Sequence, residues 1–583
     1  MTTAQRELSN RDIAQVLLEM AALYEMEEVP FKPRAYERAA MAIAALDEPL
    51  AQRYAQGGLA ALTALPGVGK SIAEHLKELL ETGTFREYER LKRKVPVNLG
   101  ELLAIEGVGP KMVKALWQQL GIRDLADLER AARAGQIRHL PHFGVKTEEK
   151  ILRGIELLRS AQGRRLLGEV LPEARQLEAT LRAFPEVEVA MVAGSVRRMR
   201  ETVGDLDFLV ISSQPQAVME RFVRLPVVQH VYSKGETRTS VRLHSGLDAD
   251  LRVVPAASFG AALSYFTGSK AHNIALRELA IKQGYKLNEY GLFKGERRVA
   301  GASEEELYAA LGLAFIPPEL REDSGEIEAA QRHALPQLID YHDLRGDLQV
   351  QTNWTDGAHS IEEMVEAAMA AGLEYIAITD HTKSLAMTRG ADEDKLRRQM
   401  EAIAALNAKL RQAGKRFTVL SGAEVNINRD GSLDIDDAVL AELDVVGAAV
   451  HSHFNLPRAE QTRRVLRAME NPHVDILFHP TGRLIHRRPP IDLDIEAVIE
   501  AAQRTGTVLE INAMPDRLDL RDEYIRKCVA AGVRMAIDSD AHAVEHFRYL
   551  ALGIGQARRG WAERRHIVNA WPLAQMRKML KSA

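Results

Sequence analysis

The stretch GSVRRMRETVGDLDFLV, residues 194–210, decides how the rest of this 583-residue chain is read. Its second half has strand character, and in a strand side chains i and i+2 share a face, so Asp205 and Asp207 project together. Adjacent carboxylates repel unless a cation neutralises them, so a metal ion is implied. A third carboxylate, Asp250 in DADLRVVP (residues 248–255), lies in another strand and can complete the site; Asp248 falls on the same face. Mg²⁺ takes a few carboxylates plus phosphate oxygens, which suits two ions about 3.5–4 Å apart bridged by aspartates. Upstream, Gly194 and Ser195 would set backbone N–H groups and a hydroxyl against a triphosphate at a helix N-terminus. For Asp-x-Asp alone, a surface strand with alternating acids is the better explanation. Gly-Ser upstream and the later Asp-Leu-Arg turn the reading to nucleotidyl transfer.

Around this core, VEVAMVAG (187–194), DLDFLVI and DADLRVV are β-rich segments between turn signals, and GYKLNEYGLF (284–293) looks like a short hairpin. Residues 1–165 carry helical periodicity throughout. They contain a weak repeat: LPGVGKSIAEHL from Leu65, IEGVGPKMVKAL from Ile105, and a looser LPHFGVKTEEKI from Leu140. Each is an apolar residue, a glycine-containing hairpin and an amphipathic helix. Gly67, Gly69, Gly107 and Gly109 allow close backbone approach, and Lys70 and Lys111 stand at the helix starts. The pattern resembles the helix-hairpin-helix motif, which grips the DNA backbone without reading sequence.

Residues 317–337, PPELREDSGEIEAAQRHALPQ, are acidic and bounded by prolines, which predicts a linker or arm. From Tyr341 onward, strands alternate with helices: EYIAITD, FTVLSGAEV, DVVGAAV, DILFHP, TVLEINA and VRMAIDSDAH. That alternation predicts a parallel α/β barrel or layered sheet. Asp380, His381, Glu424, His451, His479, Asp540 and His542 fall at the strands' C-terminal ends, where such folds place their chemistry.

The composition agrees with several globular domains: 46% hydrophobic, 27% charged, and a length beyond one core. No apolar run approaches the roughly 18–20 residues that span a bilayer, so no membrane partner is expected. MTTAQRELSNRDIAQ shows no signal peptide, and Cys528 is the only cysteine, so no internal disulfide can form. A cytoplasmic, nucleoid-associated protein is expected, with Cys528 a small core residue. Residues 61–165 hold 19 Lys and Arg against 13 Asp and Glu, a net +6, which leaves −10 for the remainder of a chain of net charge −4. A basic front and an acidic remainder suit one region on phosphates and another collecting metal ions.

With these motifs quoted, and with YFTGSKAHNIALRELA (265–280) as specific as the aspartates, residues 1–318 resemble a family X DNA polymerase, related to polymerase beta. The resemblance implies that Asp205 and Asp207 hold both metals, and that Asp250 positions the ion activating the primer 3′-hydroxyl. It assigns Gly194, Ser195, Arg198 and Gly204 to the triphosphate. Tyr265, Phe266 and Gly268 go to the sugar pocket, Asn273 to the base edge and Arg277 to the template. Two departures appear. Lys270 stands where polymerase beta is acidic, and His75 stands where related enzymes use a lysine to form a Schiff base with an abasic sugar. An imidazole cannot form that iminium, and Lys70 and Lys77 lie on other helical faces, so lyase activity is not expected.

GDLQVQTNWTDG (346–357), ITDHT, SGAEVNI, AAVHSHF, FHPTGR and DSDAHA occur in an order that resembles the PHP phosphoesterase domain, over residues 338–583. The resemblance implies a distorted seven-stranded barrel with up to three metal ions at its mouth, and in bacterial family X enzymes a 3′–5′ exonuclease. His, Asp and Glu form a mixed ligand set that Zn²⁺ or Mn²⁺ accepts. The family opens this site with His-x-His, whereas this chain has Gln349 and Gln351, and an amide oxygen is the weaker ligand. Carried over, one ion keeps only Glu424 and Asp540, a second has Glu424, His451 and His479, and a third has Asp356, His381 and His542. Exonuclease chemistry is therefore expected to be weakened or absent. His453 and His486 do not match and are read as ordinary polar residues.

The expected architecture is an α-helical helix-hairpin-helix region, 1–88 (like the 8-kDa domain of its relatives) and 89–165 (fingers), then an α+β nucleotidyltransferase palm, 166–256. A nucleotide-selection subdomain, 257–318, a linker, 319–337, and the α/β PHP barrel, 338–583, complete it. The expected function is template-directed filling of short gaps in base excision or end repair. It implies deoxynucleoside triphosphates, gapped or nicked DNA, Mg²⁺ or Mn²⁺ in the palm, Zn²⁺ or Mn²⁺ in the barrel, and a monomer. The alternatives are a nucleotidyltransferase acting on RNA ends or small molecules, and a non-enzymatic DNA-end-binding scaffold. The hairpin copies and Arg277 argue against the first, and the intact aspartates against the second.

Overall fold

Helix-forming periodicity in the first 160 residues folds as read. In the computed structural model, which describes residues 8–581 except 45, 47, 106, 142, 161, 162, 386 and 387, this region is helical with no strand among the described residues. Glu106 and His142, in the second and third hairpin copies, lie outside the described residues. The first helix, Asn10–Met26, starts at a capping box between Ser9 and Asp12, and glycines in the left-handed region, Gly83 and Gly121, end Lys70–Thr82 and Pro110–Leu120. One apolar cluster, from Ile13 and Leu17 through Leu76 to Leu116 and Ile155, runs across residue 88 and ties both hairpins together.

Strand alternation then takes over. Five strands, β1 (Val189–Val192), β2 (Asp205–Ile211), β3 (Val228–Lys234), β4 (Arg238–Leu243) and β5 (Asp248–Val254), form a sheet ordered β1-β2-β5-β4-β3. Only β2 and β5 are parallel, and their register sets Asp205 beside Asp248 and Asp207 beside Asp250. Leu206, Phe208 and Val210 of β2 and Ala249, Leu251 and Val253 of β5 point into a core shared with helix Leu167–Arg182. The opposite face of β2 begins with the two aspartates and becomes apolar at Leu209, which packs on Phe259, Ala262 and Leu263 of helix Phe259–Thr267. That helix carries Tyr265 and Phe266 to the acidic end of the sheet.

Helix Lys270–Lys282, a three-stranded antiparallel sheet (Lys286–Asn288, Gly291–Lys294, Arg297–Ala300) and helix Glu304–Ala310 follow. The segment 319–337, expected as a linker, is packed against them instead of solvated. Arg321 is fully buried, donating from Nη1 to Glu304 Oε1 (2.5 Å) and from Nε to the Ile316 carbonyl (2.9 Å). Glu326 is equally buried, 2.6 Å from His272 Nδ1, whose Nε2 meets the Tyr308 hydroxyl at 3.0 Å. The partners of these charges, Glu304 and His272, lie outside the segment, so its composition does not show them.

The C-terminal third is a seven-stranded parallel barrel in simple chain order: β6 (Gly346–Val350), β7 (Tyr375–Ile378), β8 (Thr418–Asn426), β9 (Val445–Ala449), β10 (Ile476–Leu477), β11 (Val508–Asn512) and β12 (Met535–Asp538). These strands are buried on both faces, and β6 and β11 carry buried polar residues, Asp347, Gln349, Glu510 and Asn512, among apolar ones. A bridge from Val350 to Ala541, with Gln351 N donating to the Ala541 carbonyl (2.8 Å), brings the chain after β12 back beside β6 and nearly closes the barrel. Helix Leu550–Arg559 packs outside it, and Leu552 and Leu518 enter the palm core, so barrel and palm share apolar contacts. No described helix is long and apolar enough to cross a membrane.

Cys528 is fully buried in helix Asp522–Ala531, where burial pushes its thiol up to about 12. Only a thiolate reacts, so a thiol reagent at about pH 8 is expected to leave the native chain unlabelled and to label it as it unfolds. Fast stoichiometric labelling of the native protein would contradict this packing.

Candidate active site and metal centre

The acidic end of the palm sheet gathers the three carboxylates by register alone. Asp205 is exposed, while Asp207 and Asp250 are half-buried neighbours on parallel strands. Burial, then the charges of Asp205 and Asp250, push the Asp207 carboxyl up to about 7 in spite of Arg252 and Arg198. A half-buried carboxylate crowded by two neighbouring acids makes a site that waits for cations. Asp250 meanwhile accepts from Arg238 Nη2 at 3.0 Å, and Asp248 is tied to Arg242 at 3.0 Å.

Gly194 is required here for two reasons. Its φ is +63°, and a Cβ would come within 2.6 Å of Asp207 Oδ2. It opens the short helix Gly194–Arg197, which carries Ser195, directly beside the aspartates. Gly204 precedes β2 against Arg164, whose Nη1 would lie 3.3 Å from an added Cβ. Arg198 reaches across to the Thr267 carbonyl, and its Nη1 would lie 3.1 Å from a Cβ on Gly268. The Tyr265 and Phe266 rings meet edge-on at 5.1 Å, and the Arg252 guanidinium stacks 4.4 Å from the centre of Phe266. Asn273 Nδ2 donates to the Tyr265 carbonyl at 2.7 Å, and Tyr265, Asn273 and Arg277 line one pocket with Asn288 and Leu287. Lys270 is exposed at the start of its helix.

In the hairpins, Gly67 and Gly107 take positive φ, +75° and +81°, whereas Gly69 and Gly109 cap their helices with ordinary negative φ. A Cβ on Gly69 or Gly109 would touch nothing within 4 Å, so the space before each helix is open. Lys70 and Lys111 are exposed in the first turns, where a cation opposes the helix dipole unless an anion lies there. His75 is half-buried, 2.6 Å from the Tyr36 hydroxyl and stacked on Phe85 at 4.7 Å, which is a packing role.

At the mouth of the barrel, Glu424 sits at the centre. Its Oε1 lies 2.9 Å from His451 Nε2 and 2.8 Å from His479 Nε2. Its Oε2 accepts from Gln349 Nε2 (3.1 Å) and Gln351 Nε2 (2.8 Å), with His381 Nδ1 at 3.4 Å. Among the described residues, two groups bring three ligand atoms within 4.8 Å of one another: Asp356, His381 and His542, and His381, Glu424 and His451. His381 thus stands between the second and third expected sets. Burial alone would raise the Glu424 carboxyl, yet His381 and His451 hold it well below the usual range, while burial depresses His451 to about 4. An imidazole held in its neutral form, like that of His451, leaves a ring nitrogen able to bind a divalent ion. Buried atoms fit one too: Asp356 Oδ1, His381 Nδ1 and His479 Nδ1 find no hydrogen-bond partner among the described residues.

The remaining expected ligand, Asp540, has other company. Asn512 Nδ2 donates to its Oδ2 at 3.2 Å and to Gln349 Oε1 at 3.2 Å, and the Arg517 Nε lies 3.6 Å from Oδ2. Burial opposes its charge, but His542 and Arg517 keep the Asp540 carboxyl low. Arg517, Asn512 and the buried Glu510, which accepts from the His479 amide at 2.5 Å, escaped the sequence reading. Their signal was position: Glu510 and Asn512 lie in β11 and Arg517 in the loop that follows it. In the palm, Arg238 was missed for the same reason, being one residue of an unread strand. His453 is exposed and His486 half-buried, each at positive φ.

Comparison with known proteins adds four family matches: a helix-hairpin-helix domain over 8–85, a SAM-like helix-hairpin-helix tandem over 99–156, a DNA polymerase beta thumb over 262–322 and a PHP domain over 347–514. The chain is 38% identical over 579 residues to the DNA polymerase/3′-5′ exonuclease PolX of Bacillus subtilis (strain 168), covering 98% of this chain and 100% of that protein. It is 25% identical over 346 residues to DNA polymerase lambda of Rattus norvegicus, covering 54% and 56%. It is also 31% identical over 191 residues to a probable phosphatase of Acetivibrio thermocellus, covering 31% and 73%.

Counting Mn²⁺ by equilibrium dialysis tests the barrel centre. In an Asp205→Asn, Asp207→Asn background, which silences the palm, adding Glu424→Gln is expected to lower the bound ions further. An unchanged count rules Glu424 out as a ligand.

Proposed function

The chain belongs to the family X DNA polymerases that carry a C-terminal PHP domain, and from that premise we propose that it fills short gaps during base excision or end repair by two-metal nucleotidyl transfer. It is a DNA-directed DNA polymerase; DNA and nucleotides are its substrates. The observation that carries the mechanism is the parallel register setting Asp207 beside Asp250, with Asp205 two residues away on the same face. Mg²⁺ or Mn²⁺ held by these carboxylates supplies activation of the primer 3′-hydroxyl and neutralisation of the leaving pyrophosphate. Gly194, Ser195, Arg198 and Gly204 hold the triphosphate. Tyr265, Phe266 and Gly268 wall the sugar, Asn273 reaches the base edge, and exposed Arg277 reaches the template.

Gapped or nicked DNA is gripped by backbone N–H groups before Lys70–Thr82 and Pro110–Leu120, with Gly67, Gly69, Lys70, Gly107, Gly109 and Lys111. The open space at Gly69 and Gly109 supports this: with nothing of the protein nearby and no need for positive φ, what excludes a side chain there is an approaching phosphate. The working units are 1–88, 89–165, 166–256, 257–318 and 338–583, in a nucleoid-associated monomer of the cytoplasm. The packed surroundings of His75 support the absence of a Schiff-base lyase.

In the PHP domain, Asp356, His381, His542, Glu424, His451 and His479 hold Zn²⁺ or Mn²⁺, and the position between Glu424 and Asp540 has lost its ion. Amide donors from Gln349 and Gln351 and the nearby Arg517 supply there the compensation that two imidazoles and a cation would give. The B. subtilis relative is named a 3′-5′ exonuclease; in this chain that activity is weakened or absent.

Two measurements test these assignments. Asp207→Ala is expected to cut single-nucleotide incorporation on gapped DNA by roughly a thousandfold or more, beyond the loss of one stabilising donor, with DNA binding retained. Incorporation at the wild-type rate would end the polymerase-site reading. A Gln349→His, Gln351→His double variant is expected to exceed wild type in 3′–5′ exonuclease assays with Mn²⁺. If wild type already matches it, the lost-ion reading fails.

A further inference from the structure

The loop that follows the Gly-Ser helix is held from behind by the PHP domain, and one side chain does most of that holding. Arg559, the last residue of helix Leu550–Arg559, is almost fully buried between the two domains. Its Nη1 donates to the backbone carbonyl of Arg198 at 3.0 Å and to Glu322 Oε1 at 2.9 Å, and its Nη2 to Asp522 Oδ2 at 2.5 Å. The same Glu322 Oε1 accepts from Arg198 Nε at 3.0 Å. One carboxylate oxygen therefore serves two guanidinium groups, one from the nucleotide loop and one from the barrel's outer helix. Beside them Met199, at positive φ, packs where a Cβ on Gly555 would come within 2.6 Å of its Cε. Arg483 of the PHP domain pairs with Glu201 at 2.8 Å. Residues 198, 199 and 201 are thus each fastened to the barrel.

We infer that Arg559 of the PHP domain is a positioning residue for nucleotide binding in the polymerase site. It sets the backbone at Arg198 and draws on Glu322, so that the Arg198 guanidinium stays available to a triphosphate. This rests on the reading of Arg198 as a triphosphate ligand. The direction of the effect follows from charge. Without Arg559, Glu322 keeps Arg198 as its close cation, with Arg200 more distant at 3.9 Å, so Arg198 is held harder by the protein while the loop loses its anchor. Both changes weaken nucleotide binding, and neither touches the aspartates. Arg559 reaches no nucleotide itself. A fork of hydrogen bonds to three separate acceptors uses guanidinium geometry that an ammonium cannot reproduce.

The test is steady-state single-nucleotide incorporation by the full-length protein on gapped DNA, comparing wild type, Arg559→Ala, Arg559→Lys and Arg198→Ala. Arg559→Ala is expected to raise the KM for the incoming nucleotide roughly tenfold with kcat nearly unchanged, the loss expected for charge-assisted hydrogen bonds. Arg559→Lys should fall between, and Arg198→Ala combined with Arg559→Ala should be no worse than Arg198→Ala alone. Unchanged DNA affinity and an unchanged melting transition separate this from general damage. Should Arg559→Ala fail to fold, Arg559→Lys carries the readout. A raised KM in Arg198→Ala beside wild-type KM in the folded Arg559 variants overturns this inference alone. Wild-type KM in Arg198→Ala removes the triphosphate assignment of Arg198, and this inference with it.

Discussion

Carboxylates crowded together at strand ends, partly out of water, require positive charge beside them, and both centres of this chain are organised by that requirement. In the palm it comes from parallel pairing: β2 and β5 place Asp207 against Asp250, and Asp205 follows on the same face. Nearby Arg238 and Arg252 offset part of the charge, yet Asp207 is still pushed up to about 7. The protein's own cations are insufficient there. In the barrel the balance differs, because Glu424 faces three imidazoles and two amide groups and stays well below the usual carboxylate range.

That contrast gives the two halves different characters. A site left short of positive charge is one that divalent ions complete, which suits an enzyme whose substrate arrives with metal-bound phosphates. A site with amide donors on its carboxylate and an arginine near a second aspartate has less to gain from an additional ion. The barrel nevertheless remains tightly built, with a continuous buried core. Its surface is also committed to the polymerase, since Leu518 and Leu552 enter the palm core and Arg559 and Arg483 grip the loop after Gly194. Whatever ions its own centre holds, the domain also serves the polymerase as a wall.

Legibility followed the range of the interactions. The aspartate face of β2 and the strand-end placement of the barrel's histidines come from backbone periodicity, which a sequence displays directly. The glycine hairpins were readable for the same reason. In sequence the segment 319–337 reads as a linker or arm because its charges, Arg321 and Glu326, find partners in Glu304 and His272, and composition does not distinguish a solvated acid from a paired one. Arg517 and Arg238 were passed over since nothing local marks an arginine that will face a carboxylate across a sheet or a barrel.

The sequence by itself determined which residue types share a face: Asp205 with Asp207, and Gln349 with Gln351. Those relations are set within a few residues by strand and helix geometry. The tertiary structure alone decided which charges meet. Glu424 gathers groups from four separate segments, and Glu322 is shared between Arg198 and Arg559, 361 residues apart. Coulomb and hydrogen-bond energies depend on distance in space, and only the packing of one domain against another supplies it.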